Sequence, residues 1–314
     1  MRDWSLGPGD PLMLTLAADS RLSTPDYLND HIWELELGGG EPSAVSLRTT
    51  YGLRARSMRL FLRFTEGGQS VTDPSAFPDG PRLKRFHPNF LWLEFSPFEN
   101  LNAAAEFWVP ESNAVAGRLT FTNRSTSTRQ VRLEVCAALV HLDGQNMLPV
   151  QQQMVNVLAG GTGGLFPVLF MTGGPKPGPG PYPSLALDLE LGPGAARQVT
   201  FAQAARETLP SAFELARHTA ARPWEAERAR IELTNASGAY EIHTGDVDWD
   251  AALALSQSAA FGLLLRGSEH LPHTSFVLAR QPDMGFSRKG DGADYPPAWN
   301  GQTPLEALYL ASLL

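Results

Sequence analysis

The stretch of this 314-residue chain richest in side chains able to hold a ligand runs from Phe276 to Gln302. Within it Arg288, Asp291, Asp294, Tyr295, Trp299, Asn300 and Gln302 supply a guanidinium, two carboxylates, two aromatic rings and two planar amides. Such a set matches what a sugar demands. The apolar face of a pyranose stacks on an aromatic plane, while each hydroxyl needs both a donor and an acceptor. Trp299 is the expected platform, and the charged and amide side chains are the expected hydroxyl partners. The competing reading is architectural: Asp291 and Asp294 brace glycine turns, Arg288 pairs with one of them, and Trp299 fills a core. Loops longer than about 12 to 15 residues are usually functional or disordered. Disorder is disfavoured by Phe276, Phe286, Tyr295 and Trp299, which all want burial.

Other motifs point to simpler roles. Glu269-His270-Leu271-Pro272-His273 holds two imidazoles, but Pro272 denies them the helical i, i+4 geometry of a zinc site. Gly160 to Gly164 lacks the lysine and the following helix of a phosphate loop, and Leu165 to Met171 reads as a strand. Asp246, Asp248 and Asp250 miss the glycine and the terminal glutamate of a calcium loop, so helix capping is expected of them. Cys136, the single cysteine, sits in an apolar run and reads as a small buried hydrophobe. Trp33, Trp92 and Trp108 lie on alternating strands and are expected mainly in the core. No cofactor and no metal is expected.

The elements that must position the loop follow from hydrophobic spacing. From about Pro11 to Ala205 the pattern is mostly period two, as in Val131-Arg132-Leu133-Glu134-Val135 and Leu185 to Leu191, with glycine- or serine-rich turns between the runs. This predicts a mainly β fold, a large antiparallel two-sheet β-sandwich over residues 1–205. Leu119 to Asn123 is expected to pair with Gln130 to Glu134 as a hairpin. Leu185 to Leu191 is expected to pair likewise with Ala196 to Phe201. Gly173 to Pro183 reads as an exposed loop.

Residues 206–245 predict a helical linker broken at Pro223. Residues 246–314 predict a first helical hairpin. Its first helix, Ala251 to Arg266, is apolar on nearly all sides, is led by the three acids and is capped by a left-handed Gly267. A second helix is announced by the capping box Thr303-Pro304-Leu305-Glu306 and runs to Leu314 with no stop signal. Two buried helices joined by a long polar loop suggest a barrel of helical hairpins, and the chain is expected to be a fragment holding only the first.

Composition excludes several classes. The formal charge of −8 and the absence of a basic stripe argue against nucleic acid. No apolar run approaches the ~18 to 20 residues of a membrane span. The N-terminus lacks the apolar stretch of a signal peptide, so a cytoplasmic location is expected.

The order of sandwich, helical linker with a Trp, acid-led helix (Asp248-Trp249-Asp250) and loop ending in Tyr295 to Gln302 resembles glycoside hydrolases with an (α/α)6 barrel. The glycogen-debranching, trehalase and mannosyl-oligosaccharide-glucosidase group is the nearest in kind. The resemblance implies a truncated barrel, an oligosaccharide or α-glucoside substrate, and a Trp-Asp contact to the sugar in the first subsite. Trp299-Asn300 would take that place, with Asn for Asp. It also implies inversion by two carboxylates carried on later hairpins, so no catalytic residue is expected in this fragment, which would be completed by the C-terminal barrel of its parent chain. Asp291 and Asp294 as the catalytic pair are the minor alternative. The rival from another class is a non-catalytic carbohydrate-binding or structural sandwich module. A third reading is phosphorolysis, with Arg288-Lys289 as the thin candidate for an anion pocket.

Overall fold

The computed structural model describes residues 4–5, 14–237, 241–296, 308–309 and 311–312. Strands in the first part are β1 Trp4–Ser5, β2 Thr15–Leu16, β3 Trp33–Gly39, β4 Ala44–Thr49, β5 Ala55–Glu66, β6 Gln69–Val71, β7 Asp79–His87, β8 Phe90–Phe98 and β9 Leu101–Glu111. They continue as β10 Ala114–Asn123, β11 Arg129–His141, β12 Gly144–Gln152, β13 Val155–Thr162, β14 Phe166–Met171, β15 Lys176–Pro177, β16 Ser184–Leu191 and β17 Ala196–Arg206. Among the described residues they form two antiparallel sheets. The first runs β1-β7-β8-β9-β10-β17-β14-β13-β12, and the second runs β15-β16-β11-β5-β4-β3-β2 with β6 folded onto β5.

The alternation read from sequence is what brings the sheets face to face. Leu91, Leu93 and Phe95 of β8 point inward and meet Leu60, Leu62 and Phe64 of β5 in one continuous core. The rings of Phe64, Phe77, Phe95 and Phe121 cluster there, with centroids 5.3 to 6.1 Å apart. Burying such rings removes the largest apolar areas from water and dominates the stability of the sandwich. Trp33 and Trp108 are fully buried, as expected; Trp92 is half-buried. Cys136 is a buried free thiol.

Both expected hairpins are absent. β10 pairs with β9 and β17 in the first sheet, whereas β11 pairs with β5 and β16 in the second. The connections 124–128 and 192–195 are corners that cross between sheets. Alternation fixes which residues face inward but not which strand lies alongside, and a five-residue connection can turn a corner as readily as close a hairpin. Asn123, with no exposed surface, ties the two corners together. Its Nδ2 donates to the carbonyls of Ser127 (2.7 Å), Leu191 (2.9 Å) and Gly192 (3.1 Å), and its Oδ1 accepts from the Ser125 amide. A true two-residue hairpin joins β12 to β13 through Gln153 and Met154, both at positive φ as primed turns require.

The expected exposed loop from Gly173 to Pro183 is also partly interior. It contributes β15, and Gly178 and Gly180 press on the buried Glu134 carboxylate, where a side chain would collide. Glu134 is paired with Arg63 and accepts from the Ser184 hydroxyl.

Two helices form a third layer over the first sheet: α1 Leu209–Ala220 and α2 Trp224–Ala236, separated as expected at Pro223. Ala216, Ala220, Trp224 and Ile231 pack on Phe90, Trp108, Ala114, Ala116, Ala202 and Ala204. The small alanines on the sheet let the helices approach, and Trp108 meets Trp224 edge to face at 5.7 Å.

Candidate functional site

The site expected from sequence begins at α3, Val247–Gly262. Its start follows the acids: the Asp246 carboxylate accepts from the amides of Asp248 (2.9 Å) and Trp249 (3.2 Å), satisfying donors the helix leaves open. Asp250 accepts from both the amide and the hydroxyl of Thr244, at 2.6 and 2.7 Å. The rest of the helix departs from expectation. It begins four residues earlier and ends at Gly262 rather than Arg266, and its C-cap is Leu263 in a right-handed conformation, not Gly267. Leu264–Leu265 then pairs with Ser275–Phe276 in a two-stranded ribbon. Nor is α3 buried all round. Leu255 enters the sandwich core and the Ser258 hydroxyl donates to the Phe86 carbonyl, while Val247 and Trp249 are exposed. The apolar composition thus covers more of the helix than the sandwich occupies.

Beyond the ribbon, the loop is fastened to the end of the sandwich. The Arg280 guanidinium, 6% exposed, donates to the carbonyls of Ala18 (3.1 Å) and Gly262 (2.9 Å) and pairs with the Asp30 carboxylate. One side chain therefore links loop, helix α3 and sandwich. Thr50 donates to the Pro282 carbonyl at 2.7 Å, and Phe286 lies under the Arg54 guanidinium, 3.7 Å from its ring centre. Gly285, at φ +97°, presses on the Asp30 carbonyl, where a Cβ would collide.

At the loop's far end the Asp294 carboxylate accepts from the Ser287 hydroxyl (2.6 Å) and the Arg288 amide (2.7 Å). Those bonds hold its pKa below the ordinary carboxylate value. The Ser287 hydroxyl in turn accepts from the amides of Gly290 and Gly292. The Asp291 carboxylate accepts from the Ala293 amide at 2.9 Å. Tyr295 is buried, its hydroxyl donating to the Tyr27 carbonyl at 2.6 Å and its ring meeting that of Tyr27 at 5.3 Å. Arg288, Asp291 and Asp294 share the exposed tip of this turn. Trp299, Asn300 and Gln302 lie outside the described residues, as does the capping box Thr303 to Glu306.

A cavity of about 470 Å³ opens between β7, α2 and α3, in the size range of small-molecule sites. Its apolar wall includes Leu253, Ala254 and Phe261, and its polar groups include Arg85, His87, Asp250 and Gln257. Burial, reinforced by the nearby charges of Arg85 and Arg21, pushes the His87 pKa down to about 4, so the ring is neutral at pH 7. Gln257, only 8% exposed, has no hydrogen-bond partner among the described residues. Sequence reasoning missed this group, since β7, α2 and α3 each contribute only two or three of its polar side chains and no local motif marks them.

No protein-family model matches the chain, and no curated protein matches it. Among solved structures, similarity extends to a protein proposed to be a kojibiose phosphorylase, from the human microbiome. The TM-score is 0.48 and the identity 8%, over 80% of this chain and 35% of that one. The chain thus spans about a third of that structure's length. A protein of Escherichia coli K12 proposed to be an aldose 1-epimerase gives a TM-score of 0.34 at 10% identity, over 62% of this chain and 99% of that one. A galactose mutarotase related enzyme from Lactobacillus acidophilus gives 0.37 at 7%, over 62% and 97%. At these scores the likenesses assign neither a family nor an activity to this chain.

Proposed function

We propose that this chain is the N-terminal portion of a carbohydrate-processing enzyme similar to inverting α-glucosidases. It supplies a sandwich buttress and sugar contacts, and the catalytic carboxylates lie elsewhere in the parent chain. The observation that carries the reading is the fastening of α3 and its loop onto the sandwich through Arg280, which leaves the polar tip Arg288, Asp291 and Asp294 facing outward. In that arrangement the guanidinium of Arg288 donates to sugar hydroxyls and the carboxylates accept from them. Trp299, Asn300 and Gln302 are assigned to the same subsite on the chemistry of their side chains.

An inverting mechanism needs a protonated acid and a water-activating base roughly 6.5 to 9.5 Å apart. A general acid requires a raised pKa. Hydrogen bonds move Asp294 the opposite way, which speaks against it as the acid. The second reading, a non-catalytic sandwich module, draws support from the sandwich core, which α1 and α2 complete with little help from residues after 246.

Two measurements test the proposal. The coding sequence beyond Leu314 is expected to continue in paired helices; a stop codon there removes the enzyme reading and favours the module. The chain alone is expected to bind oligosaccharides on a glycan array, at least tenfold more weakly in the Arg288→Ala, Asp291→Asn double variant, and to hydrolyse no α-glucoside. Turnover lost on Asp291→Asn or Asp294→Asn would overturn the assignment of catalysis to other hairpins.

A further inference from the structure

The outer face of the first sheet is covered by α1 and α2 over only part of its extent. The cover ends at a charged row set by strand register, Trp92, Glu106 and Arg118. There Arg118 pairs with Glu106 and with Glu225 of α2, and Arg228 of α2 reaches Glu106 at 3.1 Å. Beyond that row no helix among the described residues covers the sheet. The next row places Arg82, Glu94, Ala104 and Thr120 side by side on β7, β8, β9 and β10. The row after it holds Asp79, Ser96, Asn102 and Thr122. Together with Arg124 they line a trough of about 340 Å³. Neighbouring strands are about 4.8 Å apart, so four of them span roughly 14 Å, more than one sugar ring.

Three features separate this trough from an ordinary wet sheet face. It is concave, because Ala104 forms a low floor between Glu94 and Thr120. Its outward positions alternate donors, acceptors and both charge signs, with no large apolar side chain to seat a protein and no excess of positive charge to hold a polyanion. And its guanidiniums are uncommitted. Along the second sheet Arg48, Arg59, Arg63, Arg129 and Arg132 are each paired with a carboxylate, and of the described arginines there Arg56 alone is not. Arg82, Arg124 and Asp79 have no such partner among the described residues.

We infer that this trough is a second glycan-binding face, which holds a neutral oligosaccharide away from the α3 loop. The contact is made by hydrogen bonds alone, without a stacking ring: hydroxyls of successive rings donate to Asp79 and Glu94 and accept from Arg82, Arg124 and Asn102, with Ser96, Thr120 and Thr122 serving in either sense. The trough sits at the end of the sandwich where β10 finishes; the loop is fastened at the end where β10 begins, close to Ser112 and Asp30. A polymeric glycan can therefore touch the molecule at two separated places. The choice of a glycan rests on the carbohydrate reading above as well as on the chemistry of this face.

The test is a titration of the ¹⁵N-labelled chain with maltohexaose, cellohexaose and mannohexaose, followed by amide shifts. At least one probe is expected to shift amides of β8, β9 and β10. Its Kd is expected to rise at least tenfold in Ala104→Trp, which fills the floor, and in the exposed pair Asn102→Ala with Arg124→Ala, and to be unchanged in Met154→Ala, at the exposed tip of the β12–β13 hairpin. Wild-type affinity in both trough variants would overturn the proposal, as would the absence of shifts with all three probes. Shifts confined to residues 276–296 would overturn it too, while leaving the sugar-contact loop standing. Trough binding by a chain whose gene stops after Leu314 would uphold the trough and remove the enzyme reading.

Discussion

His31 shows how much a single buried side chain decides. It is 2% exposed and packs edge to face on Tyr51 at 4.9 Å, and neither ring nitrogen has a described partner. Burial, with the charges of Arg54 and Arg206 adding to it, pushes its pKa from 6.5 down to about 3. The folded protein thus refuses a proton that the unfolded chain accepts near pH 6.5. Stability is complete above that pH and falls as pH drops from about 6.5 toward 3, with a slope of about 1.4 kcal/mol per unit from this one site. Urea unfolding at pH 7 and pH 5 is expected to show a smaller loss for His31→Gln than for the native chain. Equal losses would show that the ring does not stay neutral. Nothing in the sequence around His31 announces this. Its ring packs on Tyr51, whose hydroxyl accepts from the Gln203 side chain, and both residues are distant in the chain.

Among the elements, α3 and its loop are the pair whose attachment depends on one contact. Removing the Arg280 side chain strands the Asp30 carboxylate, 1% exposed, without its counter-charge. Arg280→Ala is expected to cost about 3 to 5 kcal/mol in urea unfolding and to open residues 277–292 to limited proteolysis. A native-like midpoint together with a native-like cleavage pattern would show that the ribbon and α3 hold without the guanidinium. The loop's local chemistry was legible in advance: Asp291 and Asp294 do brace glycine turns, and three aromatic residues of the loop are at least partly buried. Arg280 was not legible, because its partners Ala18, Asp30 and Gly262 come from segments far away in sequence. The strand pairings failed for the same reason. Leu119 to Asn123 and Gln130 to Glu134 carry the right inward parity, yet parity is silent on which neighbour a strand takes.

On the scale of the whole molecule, composition and periodicity gave a large two-sheet sandwich and helices on either side of Pro223. They did not reveal that α1 and α2 lie on the sheet, since a helix facing Ala114, Ala116, Ala202 and Ala204 needs only modest apolar bulk of its own. The C-terminal reach of α3 was overstated for a related reason. Apolar content in α3 exceeds what the sandwich covers, so composition alone cannot say where its partners are.

The turn at Gln153 and Met154 has a practical consequence. Met154 is 95% exposed at the tip of a regular hairpin. The native thiol, Cys136, is buried, and burial raises its pKa, so it is a poor nucleophile at neutral pH. A Met154→Cys variant therefore offers one fast-reacting position for a maleimide dye or a spin label. A probe fixed there, on a strand pair joined edge to edge with β14, would report how the sandwich orients on a surface or against a long polymer without disturbing either proposed sugar contact.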